Sequence, residues 1–156
     1  MRPDNKTIET RLQQLREEMR REHLSAFIFP SADPHMSEYV PERWEGRKWI
    51  SGFDGSAGTA VVTLHGAALW TDSRYFLAAE EQLDGTEFAL MRERVDGTPS
   101  IAEWIGSQTE DADDKEVGVD GMCISLGEAE ALKDELKRSV DFWLKYGMDK
   151  EHGGVY

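Results

Sequence analysis

Residues 51–63 read SGFDGSAGTAVVT, and residues 70–79, after a short break, read WTDSRYFLAA. The first stretch sets Gly52, Gly55 and Gly58 three apart, ahead of the apolar run 60–63. This predicts a corner that needs backbone freedom, leading into a strand. A second apolar run covers 67–71, and the intervening Leu64, His65 and Gly66 make a hairpin the economical reading, with Gly66 in the turn. Beyond it, Asp72 and Ser73 lead into a helical pattern carrying Arg74 and Tyr75, with Phe76, Ala79 and Leu83 marking its inner face. A strand pair bracketed by polar corners results.

Outward from this centre the periodicities alternate. Ile8, Leu12, Leu15 and Met19 recur at helical spacing on a charged background, with Thr7 as the expected cap. Ser25 to Phe29 is a short apolar run stopped by Pro30, the length of a buried strand. Residues 31–40 read as loop, and 41–49 as a helix with Pro41 in its first turn. On the other side, 87–92 reads as a strand, and Ile101, Trp104 and Ile105 as a helix with Pro99 in its first turn. The acidic stretch 109–115 reads as a solvated loop and 116–119 as a short strand. Ser125 and Glu128 stand in capping-box order before a helix marked by Leu126, Ala129, Leu132 and Leu136. Strands alternating with helices predict an α/β fold, a single sheet with helices on its faces.

The blocks SGFDGSAGTAVVT and WTDSRYF, with LQQLREEM from Leu12 and AFIFPSADPHMSEYVPERWEGRKWI ahead of them, resemble the amino-terminal domain of the cytosolic type of Xaa-Pro aminopeptidase (aminopeptidase P), in the creatinase and prolidase superfamily. The likeness fades after the helix ending near Lys137. It implies a creatinase-type amino-terminal domain over residues 1–138, built on a mixed sheet, and a divergent tail over 139–156. Within that tail, residues 141–156 (DFWLKYGMDKEHGGVY) resemble a stretch near the start of N-acylglucosamine 2-epimerases, although a plain terminal helix with a frayed glycine end reads as well.

The resemblance also bounds the chemistry. Members of the family are metallopeptidases that remove a residue preceding proline, using two manganese ions held by two Asp, one His and two Glu in a separate catalytic domain. That ligand set is not in this sequence, so the chain by itself is expected to be inactive and to carry no cofactor. The expected partners are its own catalytic domain, a second copy in a homo-oligomer, and peptide substrate only in the context of the whole enzyme. The alternative is a stand-alone module for interaction or oligomerisation, with no peptidase role.

Composition narrows the alternatives. Thirty-one acidic against 18 basic residues leave a formal charge of −13, which opposes approach to phosphate backbones, so nucleic acid is excluded as a partner. No run reaches the roughly 18 apolar residues of a membrane span, and the amino terminus lacks an apolar signal core, so a cytoplasmic location is expected. The only cysteine, Cys123, reads as a buried, inert thiol.

The glycine corner is not a phosphate cradle, because its glycines precede a β-branched run rather than a helix. Ser56 has Asp54 where a nucleophile elbow wants glycine. Asp54 and Asp72 flank the hairpin and would need His35 and Glu38 to complete even a poor metal site. Trp44, Trp49 and Trp70 read as core or interface anchors. Arg74 admits two readings: an ion pair with Asp72, or a group offered to substrate. By the resemblance, Arg74, Tyr75 and the corner of Phe53, Asp54 and Ser56 line the substrate entrance facing the catalytic domain or a neighbouring subunit. Gly52, Gly55 and Gly58 shape that corner.

Overall fold

A computed structural model describes residues 3–30, 46–55, 57–110, 116–119 and 143–145. Chain order is α1 (Asn5–Arg21), β1 (Leu24–Phe29), α2 (Gly46–Ser51), β2 (Thr59–Thr63), β3 (Ala67–Thr71), α3 (Phe76–Leu83), β4 (Phe88–Arg92), α4 (Ile101–Gln108), β5 (Glu116–Val119) and β6 (Trp143–Lys145). Among the described residues the strands form one six-stranded mixed sheet in the order β4-β3-β2-β1-β5-β6. Pairing is antiparallel for β1 with β2 and for β2 with β3, and parallel for the other three neighbours.

The β2–β3 hairpin is the centre of this arrangement, in register Thr59↔Trp70 through Val62↔Ala67. Its strands are buried along almost their whole length, as expected of strands covered on both faces. Alternation then sends Ala60, Val62, Ala67 and Leu69 to one face, beneath Ile8, Leu12 and Met19 of α1, Ile50 of α2, and Ala79 and Leu83 of α3. Val61, Ala68 and Trp70 go to the other, against Ala102, Trp104 and Ile105 of α4. The α/β architecture with helices on both faces is the expected one.

Local readings need four corrections. Asp4, not Thr7, caps α1: its carboxylate accepts the Thr7 N–H at 2.7 Å, so the helix begins two residues before Thr7. Ser100, not Pro99, opens α4, in a capping box with Glu103, and Pro99 lies just outside with its carbonyl accepting Trp70 Nε1–H at 3.0 Å. Thr109, assigned to the solvated loop, is buried and donates to the Ile105 carbonyl at 2.7 Å. Residues 143–145, read as part of a terminal helix, form β6, because the free edge of β5 offers backbone partners that outweigh local propensity. This strand lies within the tail segment 139–156. Cys123, Trp44, the helix from Ser125 and most of the epimerase-like tail fall outside the described residues.

Candidate functional site

Antiparallel pairing brings the two sequence blocks together. Residues 51–58 enter β2 and residues 72–75 leave β3, and since Thr59 pairs with Trp70 these ends lie side by side. Thr71 Oγ1–H extends the contact by donating to the Ala57 carbonyl at 2.8 Å.

The corner starts at the end of α2. Gly52 donates to the Lys48 carbonyl at 2.8 Å and turns the chain out of the helix at φ 78°, a conformation that favours glycine. Ser51 Oγ donates to the Arg47 carbonyl at 2.6 Å and accepts the Phe53 N–H at 3.1 Å. Phe53 is thereby turned fully into the core. Gly55 lies against it so closely that a Cβ there would overlap the ring. Asp54 points outward and exchanges two hydrogen bonds with Gln82 of α3, Gln82 Nε2 to Asp54 Oδ1 at 2.8 Å and Asp54 N–H to Gln82 Oε1 at 3.0 Å. Ser56 lies outside the described residues.

On the other strand end, a 3-10 turn over Ser73–Tyr75 precedes α3. Asp72 caps it and accepts the Arg74 backbone N–H at 3.0 Å. The Arg74 guanidinium returns to the same carboxylate, Nε to Oδ1 at 3.0 Å and Nη2 to Oδ2 at 2.8 Å. This is the planar, two-pronged pairing that arginine makes and lysine cannot. Hydrogen bonding from Arg74 holds the Asp72 carboxyl below the usual carboxylate range, and Asp72 raises the Arg74 guanidinium in turn. The Arg74 side chain is nevertheless 66% exposed, so its outer face is open to solvent.

Tyr75 links the two halves. Its ring meets that of Phe53 edge-on, centroids 6.0 Å apart at 82°, and the Arg74 guanidinium lies 5.1 Å from its centroid. Phe53, Tyr75 and Arg74 therefore form one contiguous group, and Asp54 is tied beside it through Gln82.

Sequence reasoning passed over Arg47. It is 8% exposed, donates through Nη1 to the Gly58 carbonyl at 3.3 Å and through Nη2 to the Gly55 carbonyl, and sits 5.2 Å from the Phe53 ring centroid. Spacing carried no signal for it, because an arginine amid the charges of 43–48 reads as solvated surface. Of the tryptophans, Trp70 is buried against Trp104 at 5.6 Å, whereas Trp49 is 44% exposed with Arg11 4.9 Å from its ring centroid.

Asp54 and Asp72 spend their carboxylates on Gln82 and Arg74, and His35 and Glu38 lie outside the described residues. Among the described residues, no three His, Cys, Asp or Glu side chains gather as metal ligands. The donors among the described residues do not fit a paired manganese centre. No helix among them is long and apolar enough to cross a membrane.

With this geometry in place, residues 11–143 match the creatinase/prolidase N-terminal domain. The chain belongs to that family. This creatinase/prolidase domain is 40% identical over 146 residues to Xaa-Pro aminopeptidase 1 of Dictyostelium discoideum, covering 93% of the chain but 22% of the relative. Among solved structures, it resembles the X-prolyl aminopeptidase of Caenorhabditis elegans, a cytosolic enzyme with a di-nuclear active site, at a TM-score of 0.69 and 28% identity, covering 81% of this chain and 20% of the other. The N-terminal domain of the cytoplasmic peptidase PepQ from Mycobacterium tuberculosis shares the fold, with a TM-score of 0.65 at 20% identity, over 92% of this domain and 97% of the other. The chain thus spans about a fifth of the length of its aminopeptidase relatives and corresponds to their N-terminal domain.

Proposed function

We propose that this domain serves an Xaa-Pro aminopeptidase-like, manganese-dependent metallopeptidase as a non-catalytic element of the substrate entrance, with Arg74 and Tyr75 facing peptide and with contacts to the catalytic domain and to a second copy. The observation that carries the reading is the exposed guanidinium of Arg74, held in one orientation by Asp72 and Tyr75. A fixed planar donor suits a peptide carbonyl or carboxylate, and its pairing leaves the outer donors directed away from Asp72. Asp54 stands on the adjoining corner, and buried Phe53 acts by supporting Tyr75 rather than by touching substrate. Gly52, Gly55 and Gly58 set the shape of that corner, and Ser56, outside the described residues, is a further candidate for the substrate entrance. The domain so proposed has its body in 1–138, and the divergent tail over 139–156 adds β6 to the edge of its sheet.

The test is Arg74→Ala in the longer peptidase polypeptide, assayed on proline-penultimate peptides. We expect kcat/KM to fall about tenfold, equivalent to about 1.4 kcal/mol, chiefly through KM. An unchanged kcat/KM removes Arg74 from the substrate path.

A further inference from the structure

Four side chains form a continuous column from the interior to the surface. Arg47 is 8% exposed and stacks on Phe53, Phe53 is fully buried and meets Tyr75 edge-on, and Tyr75 carries the exposed Arg74. At its inner end the Arg47 guanidinium reaches the carbonyls of Gly55 and Gly58, in the second half of the corner. We propose that Arg47 is a positioning residue for the candidate site: by clamping these carbonyls and the face of Phe53, it sets where Tyr75 stands and hence where Arg74 is presented. Its bearing on substrate rests on the reading of Arg74 as substrate-facing, while its bearing on Tyr75 does not.

Three observations carry the proposal. Arginine keeps its charge even when buried, so carbonyl acceptors at its guanidinium matter, and Nη1 and Nη2 of Arg47 engage those of Gly58 and Gly55. Gly55 leaves no room beside the Phe53 ring, so ring and corner move together. The Phe53–Tyr75 ring contact joins the corner to the 3-10 turn, and an edge-on pair is directional. Lysine at position 47 would keep the charge but lose both the two-carbonyl fork and the stack.

The experiment compares Arg47→Lys with Arg16→Lys, a part-buried arginine at the far, turn end of the hairpin. In the 156-residue chain, Arg47→Lys is expected to leave the far-ultraviolet circular dichroism unchanged, to displace the Tyr75 ring resonances, and to accelerate solvent exchange of the Arg74 Nε–H, whereas Arg16→Lys leaves both signals in place. Phe53→Leu, which keeps Arg47 but breaks the column, is expected to displace Tyr75 in the same way. Unmoved Tyr75 resonances in either folded variant, or equal displacement by Arg16→Lys, overturn the proposal. In the longer peptidase, Arg47→Lys is expected to raise KM about fivefold with kcat unchanged. Displaced resonances with an unchanged KM sink the substrate-facing reading of Arg74 and leave the column standing.

Discussion

The Asp72 carboxylate accepts three hydrogen bonds from Arg74, one from its backbone and two from its guanidinium, and this governs how the site titrates. Folding lowers the Asp72 pKa, so the folded state favours the ionised form. The clamp is therefore complete at neutral pH, persists on acidification through the ordinary carboxylate range near ~4, and opens only as pH falls through the depressed value. A pH titration followed at the Arg74 Nε–H is expected to show that low midpoint, and Asp72→Asn to remove it. A midpoint at the ordinary carboxylate value contradicts the pairing. Gly55 offers a second residue-level test. A methyl group there collides with Phe53, so Gly55→Ala is expected to destabilise the fold by about 1–3 kcal/mol in urea titration, whereas Gly66→Ala meets only the flexible end of Gln108 before it meets ring atoms. Equal costs at the two glycines would show that the corner is not tightly packed.

At the scale of elements, the hairpin is held from outside by α1. Arg16 donates to the Thr63 carbonyl at 2.8 Å and the Gly66 carbonyl at 3.0 Å, and pairs with Glu87 next to β4. One side chain thus joins α1, the hairpin turn and the approach to the outermost strand of that edge. Arg16→Leu is expected to cost about 2 kcal/mol, the worth of charge-assisted bonds whose carbonyl partners are left short, measured as a lower urea midpoint at constant m. A change below about 0.5 kcal/mol would reduce Arg16 to surface decoration. These elements differ in how legible they were. Helices α1 and α3 could be read because burial of one face imposes period 3.6, and the hairpin because two short apolar runs flank a turn glycine. The capping box of α4 stood in the open as Ser100 and Glu103 but was displaced by the pull of a neighbouring proline. Strand β6 had no such signature, since pairing with β5 decides it and that is a non-local contact.

For the whole molecule, the two motifs carried the resemblance to the family, and the hairpin between them sets both flanks at one end of the sheet. Arg74, Tyr75, Phe53 and Asp54 were named as candidates from the resemblance, and the structure brings them into one neighbourhood. Arg47 was not, because its role depends on folding back over the corner, which no spacing rule encodes. The central claim is that this is the non-catalytic N-terminal domain of a peptidase, acting through what it presents and not through chemistry of its own. The most direct measurement incubates the purified 156-residue chain with excess manganese and proline-penultimate peptides, following free amino acid release alongside bound metal after desalting. We predict no release above buffer and no stoichiometric manganese. Cleavage before proline that a chelator abolishes would contradict the account.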